Sequence, residues 1–389
     1  MFPKFSDLIN YLFGSHFDLP IQTYGFFLTL GFLTGGFVLR AELKRKEKEG
    51  LLVKRVLALH SRETNSWFGI IPGIILSSTI GWKLFGVIFS YREFASNPQH
   101  FIFSGKGSVE ALLIIAVVSL AYHLYTWFSA RKNEDVVVEE IIHPYQNTWN
   151  LMIVAIVAAL IGSKIFDVFD NFSDFINDPV RSLFSFSGLT FYGGFIVTVI
   201  VLMQYVKLIK LDWRHVIDSS APVIMIGYAV GRLGCHFSGD GCWGIINTLS
   251  QPHWLAWIPD WLWASDFPHN VANLGIPISD CHGQHCRVLS EPVFPTSLYE
   301  SIISFISFGI LWFNRTRIKA PVVLFGLFMV LNGFERFFIE KIRINNKYNL
   351  LGIQLTQAEI ISAFLILIGI AVMTYFSKRY KKEMSTNTP

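Results

Sequence analysis

Two arginines stand where a hydrophobic chain accommodates charge least well. Arg232 lies in Gly231-Arg-Leu-Gly-Cys-His-Phe-Ser-Gly-Asp-Gly-Cys-Trp-Gly244, directly after the apolar run Ala221 to Val230. Arg336 lies in Phe325-Gly-Leu-Phe-Met-Val-Leu-Asn-Gly-Phe-Glu-Arg-Phe-Phe-Ile-Glu340. A charged group at membrane depth is costly and marks a ligand pathway or an ion partner. The guanidinium never loses its charge, and its planar fork of donors matches a phosphate bidentately. Two of them at such depth point to an anionic ligand that itself lives in the bilayer, and a phospholipid headgroup fits best. The plainer alternatives are that each arginine snorkels to the interface or ties to a carboxylate, Glu340 being four residues after Arg336. Gly231, Gly234, Gly239, Gly241 and Gly244 break the helix around Arg232 and expose backbone N–H groups to a headgroup. They would equally serve close helix packing.

The elements that must position these groups are membrane helices. Of 389 residues, 52% are hydrophobic and 15% charged, and the mean hydropathy is +0.44. That balance excludes an ordinary soluble domain and predicts an all-α, polytopic integral membrane protein. A net charge of +4 is too small and too scattered for nucleic-acid binding. Met1 to Pro20 lacks a basic stretch followed by a long apolar core, so the first span is expected to do the targeting.

A spanning helix needs roughly 20 mostly apolar residues. Nine stretches qualify: 21–39, 67–90, 109–128, 148–169, 190–209, 216–235, 296–313, 322–339 and 358–376. The most polar linker runs from Arg131 to Glu140. Basic residues collect after the first span (Arg40, Lys44, Arg45, Lys46, Lys48, Lys54 and Arg55) and then in alternate loops. These hold Arg131 and Lys132, then Lys207, Lys210 and Arg214, then Arg315, Arg317 and Lys319, and the tail adds Lys378, Arg379, Lys381 and Lys382. Positive loops stay inside, so nine spans place the N-terminus outside and the C-terminus inside. Arg232 and the Arg336 end of its span then share the outer face. So does the segment 238–295, whose Trp243, Trp254, Trp257, Trp261 and Trp263 predict a partly interfacial cap.

The chain resembles the prolipoprotein diacylglyceryl transferases over most of its length. Tyr24-Gly25 opens the first span as in that family. Ile161-Gly-Ser-Lys-Ile-Phe-Asp-Val is similar to its second conserved helix, and Gly188-Leu-Thr-Phe-Tyr-Gly-Gly194 to its His-Gly-Gly motif. The stretch 231–244 resembles its signature sequence; Phe294-Pro-Thr-Ser-Leu-Tyr-Glu300 and Arg336-Phe-Phe-Ile-Glu-Lys-Ile-Arg343 continue the order, and Gly352, Gln357 and Ser362 resemble the start of its last helix. No single motif is specific; their order along a matching hydropathy profile is. One transferase domain over 1–389 is implied, with 63–138 as an insertion of two extra spans.

The resemblance implies a reaction. Diacylglyceryl moves from phosphatidylglycerol to the thiol of a lipobox cysteine in a preprolipoprotein, with release of glycerol phosphate, at the outer leaflet of a bacterial inner membrane. It implies phosphatidylglycerol binding by Arg232, Tyr24, Gly193, Gly194, Gly234, Gly244 and Arg336, and catalytic work by Arg232, Arg336, Tyr192, Asp240, Glu340 and His236. The partners implied are phosphatidylglycerol, signal peptides of lipoprotein precursors and membrane lipid; the chemistry calls for no cofactor. Arg343 is the weaker arginine, because it should lie in the wet outer loop. Three positions depart from the family: its His before Gly-Gly is Tyr192, its signature Asn is Cys235, and its His before Pro-Ser is Phe294. These leave the thiol-activating base open among His236, Asp240 and Glu340. Two other readings stay open: a related transferase with another acceptor or phospholipid, and a lipid-binding membrane protein without catalysis.

Cys235, Cys242, Cys281 and Cys286 all fall on the predicted outer side, which favours disulfides between the near pairs 235–242 and 281–286. Cys281-His282-Gly-Gln-His285-Cys286 also has metal-ligand spacing, so zinc is the alternative there.

Overall fold

Apolar runs of bilayer length become helices because a helix satisfies its own backbone donors and acceptors where no water can. The computed structural model describes all residues except 61–66, 97–100, 103, 133–136, 180, 181, 183–189, 346, 351, 352 and 387–389. In chain order its longer helices are α1 (Phe5–Phe13), α2 (Thr23–Lys48), α3 (Trp67–Phe89), α4 (Val109–Lys132) and α5 (Thr148–Asp170). There follow α6 (Phe191–Leu208), α7 (Trp213–Ser238), α8 (Thr296–Asn314), α9 (Val323–Glu340) and α10 (Gln357–Thr386). Among the described residues, α2, α3, α4, α5, α7, α8 and α10 contain seven segments long and apolar enough to cross a membrane. The apolar part of α6 is shorter, and α9 carries Glu335, Arg336 and Glu340. The outward faces are apolar too: α10 exposes Phe364, Leu367, Ile368 and Ile370. Such a surface suits hydrocarbon, and the chain is a multi-pass membrane protein.

Two compact units divide the chain, the first comprising Met1–Pro3, Gln22–Val53 and His143–Pro389. Its hub is α7, against which α2, α8 and α9 pack, while α6 pairs with α5 and α10 with α9. Lipid tails are as apolar as leucine, so close packing rather than hydrophobicity joins such helices. At Gly31 an added Cβ would stand 3.0 Å from the Gly227 carbonyl oxygen, so α2 and α7 meet backbone to backbone.

Helix α7 starts where the Asp212 side chain accepts the Arg214 N–H and stops at Gly239, whose φ of 65° lies in the left-handed region. Near its start, Asp218 accepts the N–H groups of Val322 (2.8 Å) and Phe325 (3.0 Å), supplying from another helix the cap that α9 lacks in its own sequence. At the same end Arg315 Nε lies 2.7 Å from Glu42 Oε1 and Arg45 Nη2 lies 2.9 Å from Glu42 Oε2.

The stretch 239–295 folds over the other end of α7. Trp243, Phe267 and Val293 form its core, and the fully buried Asn270 donates to the carbonyls of Phe267, Leu274 and Arg287. Trp254, Trp257 and Trp261 are exposed. Cys281 and Cys286 form a disulfide, which removes the zinc alternative at that pair. Cys235 and Cys242 are free thiols, so the second expected disulfide is absent.

The second unit comprises Lys4–Ile21 and Lys54–Ile142. Its α3 and α4 pack together, and Ser77 hydrogen-bonds Ser119 across them at 3.2 Å. Lys83, a cation on an apolar helix, donates to the carbonyls of Phe101 (3.0 Å) and Lys106 (2.9 Å). The polar linker expected over 131–140 is in part a strand: β2 (Val137–Ile142) pairs antiparallel with β1 (Arg55–His60). Its apolar pairs around Glu139-Glu140 suit a two-stranded ladder. Two further strand pairs, Ile276–Pro277 with Arg287–Val288 and Lys347–Leu350 with Ile353–Thr356, qualify the all-α expectation without changing the class.

Candidate active site

A polar stripe runs down the inner face of α8: Ser297, Glu300, Ser301, Ser304 and Ser307 are all buried at helical spacing. Glu300 is fully enclosed. A carboxylate there is tolerated only with several donors, and α7, α9 and the turn after α9 supply them. Tyr228 donates its hydroxyl at 2.7 Å. Arg232, one helical turn later on α7, forms an ion pair with the same oxygen, and its Nε lies 3.2 Å from the Tyr228 hydroxyl. Arg343 donates to the other oxygen at 2.9 Å. Arg336 Nη1 stands 3.7 Å from Glu300 and Nη2 3.4 Å from Glu340.

Three guanidiniums thus converge on one carboxylate. Arg232 and Arg343 are committed to it, with side-chain exposures of 12% and 17%. Arg336 is 29% exposed and makes no hydrogen bond among the described residues. Its donors remain available to an incoming anion. Beside it Glu335 is buried, and neither carboxylate oxygen has a hydrogen-bond partner among the described residues.

The expectation for Arg343 is corrected here. The turn after α9 is drawn back by an antiparallel bridge between Gly244 and Arg343, and by Ile245 N–H donating to Ile342 O at 2.9 Å. This holds Arg343 inside the cluster rather than in a wet loop. Gly244 permits the close pass, since an added Cβ would meet the Ile342 carbonyl.

Of the other residues expected at the site, Glu340 is buried beside Arg336. Asp240 follows α7 and accepts the Cys242 N–H at 3.0 Å. Tyr24 is exposed in the first turn of α2. At Gly234 an added Cβ would sit 2.9 Å from Phe27 Cβ, so this glycine seats α2 on α7. Gly193 and Gly194 lie against Phe166, Ser163 and the backbone of α5; both are packing glycines of the α5–α6 contact. His236 is buried among Phe237, Trp261 and Phe267, its Nδ1 has no hydrogen-bond partner among the described residues, and these ring contacts involve no member of the arginine cluster. The side chain of Tyr192, in the first turn of α6, lies outside the described residues, as does Gly352.

Glu300 and Tyr228 are the site residues that sequence reasoning passed over. The signal was present: a carboxylate within a serine stripe on an otherwise apolar helix must face polar partners inside the bundle.

Comparison with known proteins gives a consistent result. The sequence model of the family described as prolipoprotein diacylglyceryl transferase matches residues 101–375. A phosphatidylglycerol–prolipoprotein diacylglyceryl transferase of Leptospira interrogans is 29% identical over 265 residues, covering 62% of this chain and 72% of the relative. One of the same name from Clostridium botulinum is 28% identical over 240 residues, covering 61% and 84% respectively. Another from Paraburkholderia xenovorans is 27% identical over 203 residues, covering 50% and 65%.

Proposed function

The chain belongs to the prolipoprotein diacylglyceryl transferase family, and from that membership we propose that it transfers diacylglyceryl from phosphatidylglycerol to the lipobox cysteine of preprolipoproteins, releasing glycerol phosphate. The observation that carries the reading at this site is the convergence of Arg232, Arg336 and Arg343 on Glu300. In the reaction the acceptor sulfur forms a bond to a glycerol carbon, and the carbon–oxygen bond to phosphate breaks. Its electron pair leaves with the phosphate, where negative charge accumulates. Fixed cationic donors in a water-poor site stabilise such charge most effectively, because they need not reorganise as it forms. Glu300 holds the guanidiniums in place against their mutual repulsion. Arg336, least committed within the protein, takes the phosphodiester together with Arg232. Tyr24, Glu340 and Gly244 line the headgroup site.

Counting α6 and α9 as further spans gives nine crossings, with the arginine cluster at the outer leaflet of the inner membrane and the basic loops inside. The exposed tryptophans of 239–295 support an interfacial position for that cap. The segment 63–138 reads as an addition to the site-bearing unit, in keeping with the compactness of Lys54–Ile142 within a unit of its own.

The test is direct. The purified chain, given phosphatidylglycerol labelled in its acyl groups and a lipobox peptide, is expected to move label to the peptide cysteine. Label left entirely in phospholipid, or label reaching a peptide whose cysteine is replaced by serine, would overturn the proposal.

A further inference from the structure

Beside the arginine cluster stands a group that the phosphate chemistry does not use. Helix α7 delivers Cys235 in its last turn, and the chain then reverses through Gly239 (φ 65°) and Gly241 (φ 94°). That reversal brings Asp240 and Cys242 back, so that two sulfurs and a carboxylate oxygen lie within 4.8 Å of one another. Cys235 is buried, and Asp240 and Cys242 are half-buried. We propose that Cys235, Asp240 and Cys242 form a zinc site whose fourth position takes the thiol of the acceptor substrate.

The donor set fits. Zinc binds thiolate, imidazole and carboxylate in tetrahedral arrays, and three protein ligands with one open position are the pattern of reactive rather than structural sites. Zinc–sulfur bonds of about 2.3 Å put two sulfurs at most about 4.6 Å apart, so small side-chain rotations close the observed spread around an ion. The charge also fits. Two thiolates and a carboxylate outweigh a dication by one negative charge, and Arg232 Nη1, 3.7 Å from Cys235 Sγ, answers it.

The site would supply what the transfer reaction, on the reading above, needs most. A free thiol is a weak nucleophile near neutral pH, and coordination removes its proton outright. The acceptor thiol binds as thiolate and gives its proton to solvent. Its sulfur pair then forms the new carbon–sulfur bond while the electrons of the broken carbon–oxygen bond leave with phosphate. Zinc keeps its oxidation state throughout. Placing the metal beside Arg232 puts the nucleophile next to the group that holds the leaving phosphate.

The experiment uses the full-length chain in detergent, kept reduced, equilibrated with zinc chloride and freed of excess. Elemental analysis is expected to find about one zinc per chain. The Cys242→Ser and Asp240→Asn variants, checked for wild-type elution on size exclusion, are expected to lose most of it. A His282→Ala/His285→Ala variant should retain it, which separates this site from the histidines of the cap. Cobalt in place of zinc is expected to give a thiolate-to-metal charge-transfer band that Cys242→Ser abolishes. Wild-type zinc no higher than in Cys242→Ser would overturn the site, as would a reduced-handled chain two hydrogens lighter through a Cys235–Cys242 disulfide. Chelation should lower transfer by roughly 10²-fold, the scale of activating a nucleophile, and zinc should restore it. Bound zinc whose removal leaves transfer unchanged would overturn thiol activation. Specific zinc binding with no transfer under any condition would uphold the site and sink the transferase reading instead.

Discussion

Near its start, α7 places Asp218 beside α9 and Lys46, with Glu42, Arg45 and Arg315 close by. Near its end it places Arg232 among Glu300, Arg336 and Arg343. At the first cluster each carboxylate is closely held by the protein: Glu42 lies 2.7 and 2.9 Å from two arginines, although Arg315 Nε meets it without hydrogen-bond geometry, and Asp218 takes two backbone N–H groups as well as facing Lys46. At the second, Arg336 reaches its carboxylates only at 3.4 and 3.7 Å, and Glu335 finds no hydrogen-bond donor among the described residues. A closed cluster joins helices. One with uncommitted donors has capacity for a ligand, and this difference, rather than burial or charge, distinguishes site from strut.

The contrast can be broken experimentally. Glu300→Gln should have the largest effect, because three guanidiniums lose their common counter-charge. Breaking a buried pair costs about 3–5 kcal/mol, so the midpoint of thermal unfolding in detergent should fall sharply, together with transfer. Arg232→Ala should leave the chain inserted but lower transfer by roughly 10²–10³-fold, the loss typical of a donor to a developing anion; labelled-phospholipid turnover near the wild-type rate would remove Arg232 from the mechanism. Glu42→Gln should lower stability by about 1.5–3 kcal/mol, with transfer per folded molecule unchanged, since this cluster belongs to the scaffold. A parallel fall in specific transfer would erase the distinction between the two ends. Asp218→Asn should have the smallest effect, about 1 kcal/mol, since the amide oxygen keeps an acceptor for α9 and only the loose 3.9 Å contact with Lys46 loses its charge, read as a modest drop in unfolding midpoint.

The fold was legible because hydrocarbon imposes a length and a composition that few other environments require. Even α9, with Glu335, Arg336 and Glu340, stood out as a helix among its Phe and Leu neighbours. Arg232 and Arg336 were legible by their incongruity. Glu300 was legible only as a buried polar residue within its serine stripe; which partners it meets was not, because they lie 72 residues before it and 43 after it. The inward path of Arg343 depends on the bridge to Gly244, a backbone contact that no side-chain pattern announces. Gly193 and Gly194, noticed for headgroup binding, also have a role in helix contact that the motif did not announce. The grouping of Cys235, Asp240 and Cys242 depends on two left-handed glycines whose conformation sequence leaves open.

The bare backbone contact at Gly31 and Gly227 has a consequence for the surrounding lipid. Helices α2 and α7, seated that closely, lean as one body when the bilayer thins or thickens, since tilt is how a span answers a mismatch in hydrocarbon thickness. Tyr24 and Arg232 therefore keep their mutual spacing while their common depth shifts. The acyl length of the host membrane becomes a dial on how deep that fixed pair sits, and so, on the proposed function, on where a lipid phosphate would meet it.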